Sequence, residues 1–348
     1  MACAEPLLLT PLGARPNPIR SGPAVFVTHH RTFLGLSWWR RFSLIATTLS
    51  ASLAVPCFQA NGADVLPRML LLDGSHQGPT LIVAVGERGT ILRSKNRGQT
   101  WQAALVPQRA PLTAISVPPE VASTHAWAVG HDALILHSAD AGLTWAVQFQ
   151  GADRQSSFLD VLALDEHQII AVGADALYAE SHDGGLTWTK RKIGDADRHF
   201  NRLTRGPTGT LYIAGEQGVL LRSADAGVRW SPLTVPSAGS FYGILPLGQH
   251  TLLAYGLRGR LYRSTDDGGT WQTIATPKPS LLATATQLKS RVIVIAGSAG
   301  TLLTSHDEGK TFASWATSPT RGIAKLVEMP DGSLLALGEA GATLLPKP

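Results

Sequence analysis

From about residue 68 onward the chain repeats one short grammar of apolar and polar positions. An apolar run ending in glycine is followed, a few residues later, by a second apolar run ending in serine. Ala84-Val85-Gly86 leads to Ile91-Leu92-Arg93-Ser94, Ala128-Val129-Gly130 leads to Ile135-Leu136-His137-Ser138, and Ala214-Gly215 leads to Leu220-Leu221-Arg222-Ser223. Short runs rich in Val, Ile and Leu and bounded by glycine predict strands, and no stretch keeps a helical period. Each serine opens a box of the form S-x-D-x-G-x-T-W, complete at 138–145, 181–188 and 264–271. Three further copies are altered: Asn96 replaces Asp in 94–101, Arg229 replaces Thr in 223–230, and Phe312 replaces Trp in 305–312.

The opening serines stand at 94, 138, 181, 223, 264 and 305, a period of 41 to 44 residues. That period marks stacked four-stranded units. The box suits a tight turn between the third and fourth strands of a unit. Its Asp can fold back onto nearby backbone N–H groups, its Gly can take positive φ, and its Trp can wedge between neighbouring units. Asn96, Asp140, Asp183, Asp225, Asp266 and Asp307 are therefore expected to be structural. A seventh unit begins at Ile323–Met329, continues through Leu334–Gly338 and Ala342–Leu345, and stops at Pro348 without a box or fourth strand. The expected fold is an all-β, seven-bladed propeller of four-stranded antiparallel blades over residues 64–348, a single domain that avoids open sheet edges by closing into a ring. The missing strand must come from residues 63–66, or the last blade keeps three strands.

These residues carry a resemblance. The boxes resemble the Asp-box, or bacterial neuraminidase repeat, of sialidases, sortilin-type receptors and xyloglucanases. The longer repeat, over about residues 66–345, resembles the seven-bladed photosystem II stability and assembly factor family and its relatives outside photosynthesis. The resemblance implies a non-catalytic platform that binds another protein during assembly of a membrane complex, through an arginine-rich patch on the face away from the boxes.

Candidate chemistry follows from propeller geometry, which puts the connections between blades on that second face. Arg109 lies in the first connection, Asp153 and Arg154 in the second, and Asp195, Asp197, Arg198, His199 and Arg202 in the third. Lys278 lies in the fifth and Arg321 in the sixth, whereas the fourth offers Phe241 and Tyr242 in place of a cation. Arg88, Arg258 and Arg260, in second-to-third-strand turns, join them. Arg109, Arg154, Arg198, Arg202, Lys278 and Arg321 are thus the expected partner-binding set. A ring of this kind focuses a positive field on an acidic segment of a membrane-complex subunit. The alternative is a sialidase-like glycosidase or glycan-binding propeller. A glycosidase needs two facing carboxylates, for which Asp153 with Asp160, or Asp195 with Asp197, are the candidates. A sialidase site would also need a late tyrosine nucleophile, and no tyrosine follows Tyr262. No metal or cofactor is expected: the box glycine is at the fifth position, where a helix-loop-helix calcium loop needs it at the sixth, and His131, His199 and His306 lie on separate units. The expected protein is not an enzyme.

Composition alters this picture at the N-terminus. Residues 1–63 hold Arg15, Arg20, Arg31, Arg40 and Arg41 against Glu5, so they carry most of the chain's formal charge of +5. The remainder is almost neutral, which removes the main support for nucleic-acid binding. Both cysteines, Cys3 and Cys57, also lie there. Arg40-Arg41 precede an uncharged run from Phe42 to Pro56 and then small residues up to Ala63. A basic region, an apolar run too short to span a bilayer comfortably and a small-residue zone read as an export leader; the alternative is an N-terminal membrane anchor. The expected location is the periplasm, or the thylakoid lumen if the organism is photosynthetic. There the protein would be peripheral to the membrane and monomeric. N-terminal sequencing of the purified protein should show a start between about residues 57 and 66. Recovery of intact Met1 would refute the leader.

Overall fold

The computed structural model describes residues 69–120, 123–194, 198–316 and 321–348. The leader, the closing strand expected at 63–66, Asp195 and Asp197 lie outside the described residues. The fold is the expected seven-bladed propeller: six four-stranded antiparallel sheets and one of three strands among the described residues. The first strands of the blades are Leu71–Gln77, Leu112–Ser116, Phe158–Ala163, Phe200–Arg205, Phe241–Leu247, Leu282–Gln287 and Ile323–Glu328. In blade 1 the second, third and fourth strands are Leu81–Gly86, Ile91–Ser94 and Gln102–Ala103; blade 7 has only Leu334–Gly338 and Gly341–Leu345 after its first strand. No helix is present among the described residues beyond single turns of 3-10 type.

The blades have no cores of their own. Seven apolar clusters exist, and each straddles one interface between neighbouring blades. Second strands are therefore buried on both faces. In blade 1, Ile82 and Ala84 pack towards blade 7 while Val83 and Val85 pack towards blade 2. This is why these strands read as continuous apolar runs and not as alternation. The ring is closed by packing: Leu71, Ile82, Ala84 and Trp101 of blade 1 meet Val327, Met329, Leu335 and Leu337 of blade 7.

The box turns anchor this packing. Ser181 Oγ accepts the Gly185 N–H at 2.8 Å and donates to Asp183 Oδ1 at 2.8 Å. Asp183 Oδ1 also accepts the Thr187 N–H at 2.9 Å, and Oδ2 accepts the Thr187 hydroxyl at 2.6 Å. The altered copies keep this frame. Asn96 Oδ1 accepts from Ser94 Oγ and Thr100 N, and its amide donates to Thr100 Oγ1 where an Asp would accept. Arg229 loses the hydroxyl but keeps its N–H on Asp225 Oδ1 at 2.8 Å. The box glycine has positive φ, +90° at Gly268, and lies against the preceding blade; an added Cβ would be 3.0 Å from Leu233. The box aromatic then enters the interface with that preceding blade: Trp145 packs with Val83 and Val85, and Trp271 with Tyr212 and Ala214. Blade 7 has no box, and Trp315 of blade 6 packs in its interface instead.

The glycine ending each second strand answers a different constraint. Gly86, Gly130, Gly173 and Gly256 have extended backbone or nearly so, and a Cβ on any of them would collide with a first-strand carbonyl oxygen or the one just before it. The close approach comes from a bulge that recurs in all seven blades, at Leu71/Asp73, Leu112/Ala114, Phe158/Asp160, Phe200/Arg202, Phe241/Gly243, Leu282/Thr284 and Ile323/Lys325.

Ser181 is 1% exposed, whereas Asp183 is half-exposed. Ser181→Ala leaves the buried Gly185 N–H without its acceptor and should cost about 1–3 kcal/mol. Asp183→Ala should lower the melting temperature less, since water can reach the donors it leaves behind. Thermal melts of the two variants check the order; a larger loss for Asp183→Ala would reverse the assignment.

Candidate functional site

Hydrogen bonds sort the loops onto two faces. Each second-to-third-strand turn donates to a residue of the connection leading into its own blade or the next: His131 N to Pro111 O, Ala133 N to Ser156 O, Ala174 N to Ser157 O, Ala176 N to Arg198 O, and Leu257 N to Ser240 O. These turns and the connections thus form one face. The boxes share the other with the first-to-second-strand turns, through Ala141 N to Thr124 O, Gly184 N to His167 O and Asp267 N to His250 O.

On the connection face, Arg109, Arg154, Lys278 and Arg321 are exposed and Arg198 is half-buried. Arg198 Nη1 donates to Gln217 O at 3.2 Å. Arg88 and Arg258 occupy left-handed positions at φ 56° and 59° in their turns, and both are exposed. The fourth connection, which has no cation of its own, is covered by one. The Arg260 guanidinium of blade 5 lies against Gly239, where any side chain would collide with it. Phe241 is buried on a first strand, and Tyr242 packs among apolar residues of the blade 5–6 interface. Asp153 is a turn former: it accepts the Gln155 N–H at 2.9 Å and the Ser156 hydroxyl at 2.8 Å. It is exposed, whereas Asp160 is buried on a first strand, so the two do not form a facing pair. His131 Nδ1 lies 3.3 Å from Ser157 Oγ, His199 Nδ1 accepts the Asp175 N–H, and His306 is exposed in its box. Among the described residues, no group of three or more His, Cys, Asp or Glu is placed to hold a metal ion.

Arg202 departs from the expectation of a connection residue. It lies on the first strand of blade 4, at the bulge position, and faces a central cavity of about 380 Å³. A charged residue between a loop and a short strand reads as loop in the sequence; only the bulge, invisible there, turns it inward. The same position in the other blades supplies Asp73, Ala114, Asp160, Gly243, Thr284 and Lys325. Asp73 and Lys325 were not legible as a site, nor was Tyr255, whose ring occupies the space above Gly243. The channel charges neutralise one another. Lys325 Nζ lies 2.8 Å from Asp73 Oδ1, and Arg202 lies 3.8 Å from both Asp73 and Asp160. Each carboxylate also clips blades together: Asp73 accepts the Ile115 N–H of blade 2, and Asp160 accepts the Leu203 N–H of blade 4. Burial pushes the Asp160 carboxyl up to about 6, with Arg202 opposing and Asp73 adding. Burial works against the Arg202 charge, but Asp160 and Asp73 outweigh it and raise its pKa. The channel is thus a self-satisfied brace, while the cations of the connection face are mostly exposed.

The family model for photosynthesis system II assembly factor YCF48 matches residues 147–278. The chain resembles that family. Among solved structures, YCF48 bound to a D1 peptide superposes with a TM-score of 0.69 at 18% identity, over 82% of this chain and 96% of that one. YCF48 from Cyanidioschyzon merolae gives 0.67 at 16%, over 81% and 98%. The WD40 propeller domain of Doa1 gives 0.65 at 12%, over 80% and 92%. At these identities the likeness is one of fold. No curated protein matches the sequence.

The channel and the boxes respond to pH with opposite sign. Asp160 ionises less readily in the fold than in the unfolded chain, so its contribution is most favourable below about pH 4 and is lost as the pH rises through about 6. Asp183, held down to about 2 by the Thr187 hydroxyl, contributes above about pH 4 and loses that contribution as the pH falls. Between pH 4 and 7 the melting temperature of Asp160→Asn should therefore gain on the wild type, by about 2–4 °C per kcal/mol recovered. Parallel melting curves across that range would contradict the assignment.

Proposed function

We propose that this protein is a non-catalytic docking platform of the YCF48 kind, an exported propeller whose connection face receives an acidic segment of a membrane-complex subunit. One observation carries the reading. Cations stand in or over every connection, counting Arg260 over the fourth, on a propeller whose charges as a whole nearly cancel. Exposed arginines give long-range attraction and adaptable hydrogen bonding to carboxylates. The self-paired channel offers no comparable field. The family resemblance and the D1 peptide held by a similar propeller support a protein segment as the ligand. Export rests on the basic and apolar pattern of the leader.

A D1 peptide is the natural probe. Its affinity should fall as salt is raised from low to physiological strength, because exposed charges are screened over about 8–10 Å. Arg154→Glu, Arg198→Glu and Arg321→Glu together should weaken binding about tenfold or more, the sum of three modest rim contributions, with little change in melting temperature. Unaltered affinity in the triple variant, by fluorescence anisotropy, would remove the basic face from the mechanism.

A further inference from the structure

The box face is not uniform. The sixth position of the box is free of structural demand, since Gln99, Gly269 and Lys310 all occupy it in otherwise intact turns. In blades 2, 3 and 4 it holds Leu143, Leu186 and Val228, which are 49%, 82% and 60% exposed. These three blades are neighbours, and their turns are tied together. Gln148 Nε2 of blade 2 donates to Gly184 O, and Gln168 Nε2 and Arg191 Nη1 of blade 3 donate to Ala226 O and Val228 O. A fourth apolar residue, Leu105, is 70% exposed and held beside Leu143 by backbone bonds to Leu143 O and from Trp145 N. Val147, 40% exposed, stands on the outer strand of blade 2. Five of the seven large exposed apolar side chains among the described residues thus fall in one sector.

Charge is distributed to match. The variable box positions in blades 2 to 4 carry Ala139, Ala141, His182, Gly184, Ala224 and Ala226 and no acid, although Glu120, Asp165 and Glu166 stand in the neighbouring first-to-second-strand turns; exposed cations flank the arc, Lys95 and Arg97 at one end and Arg229, 4.0 Å from Asp225, at the other. The acids at variable positions are Asp267 and Glu308, in blades 5 and 6, each paired with a basic neighbour. The box carboxylates of the sector are folded into their own turns. Leu186 touches little of its own protein, so the arc is a set of projecting tips and not a groove that would seat a peptide side chain.

We infer that this arc is a membrane-contact surface: Leu105, Leu143, Leu186 and Val228 dip into the interface of an anionic bilayer, and Lys95, Arg97 and Arg229 meet the lipid phosphates. Large exposed apolar side chains gathered in one sector mark an interaction surface, and cations near an anionic leaflet add attraction within a Debye length. A fluid lipid surface accepts separate projecting tips, which a rigid protein partner does not. The inference concerns the face opposite the proposed peptide site and does not depend on it.

The test uses the full chain with Cys3→Ser and Cys57→Ser, so that a single introduced cysteine can carry a bimane label. Leu186→Cys and Val228→Cys report the arc, and Ala152→Cys reports the connection face. With vesicles containing phosphatidylglycerol, the two arc labels should shift to the blue and be quenched by spin-labelled lipid, and the Ala152 label should do neither. Vesicles of phosphatidylcholine alone should give several-fold weaker responses. Replacing Lys95, Arg97 and Arg229 by Gln should weaken vesicle binding read at the arc by about fivefold for each cation lost. Arc labels that stay in water while the chain sediments with vesicles would assign binding to the leader and overturn the inference. A blue shift that grows with protein concentration without vesicles would assign the arc to a second copy of the chain, and equal responses to both lipids would remove the anionic surface; either result overturns it.

Discussion

The structure depends on burial that no blade can achieve alone. Each second strand presents apolar side chains to both of its neighbours, so a blade outside the ring would expose both faces of its sheet. Seven interfaces share the whole core, and the one between blades 7 and 1 is made of the same kinds of residue as the rest. The box is the device that repeats this interface accurately. Its serine and acid fix a turn whose glycine lies against the preceding blade and whose aromatic side chain enters the seam. Altered copies survive because the essential bonds run through the serine hydroxyl and a backbone N–H, which Asn96 and Arg229 leave in place.

The repeat was legible because its turn chemistry is local: serine, acid and glycine act within eight residues, so their spacing appears directly in the sequence. The glycines ending the second strands were equally visible, but their reason was not. They are required by a close carbonyl, which depends on a bulge in the paired strand. The bulge also decides the channel. It brings Asp73, Asp160, Arg202, Thr284 and Lys325 to the central cavity, and a sequence cannot show this. Arg202 was therefore expected among the connections, while Asp73 and Lys325 gave no signal. The fourth connection has no cation of its own, as its sequence reads; Arg260, twenty-one residues beyond Gly239, lies against it, and the lack of a side chain at Gly239 lets the guanidinium approach closely.

The placement of charge separates what holds the ring from what faces outward. Within the channel, two acids and two bases come from blades 1, 3, 4 and 7 and satisfy one another, with Arg202 of blade 4 reaching the carboxylate of blade 1. Such buried pairs add little net stability, because desolvation offsets their attraction. On the connection face the cations are mostly exposed, and they share it with Glu87, Asp132, Asp153, Asp175, Glu216 and Glu339, of which Glu87, Asp153 and Glu339 accept backbone N–H groups. The carboxylates of the boxes and the channel likewise have hydrogen-bond donors of their own.

That division explains why the two faces can diverge independently. A box carboxylate satisfies its own turn, so the variable positions around it carry no structural duty and tolerate Lys, Gly, Gln or Leu. The connections are constrained where second-to-third-strand turns bond to their backbone, as Ala133 N does to Ser156 O. Those bonds use carbonyls and leave side chains free. Arg154 can therefore sit two residues from Ser156 without any structural role, and the same holds for Arg321 beside Gly322, whose carbonyl receives the Glu339 N–H. Charge on this face is fixed by neither packing nor turn chemistry. In a fold whose interior is so heavily constrained, an unconstrained position that still holds a cation in connection after connection requires an explanation from outside the molecule.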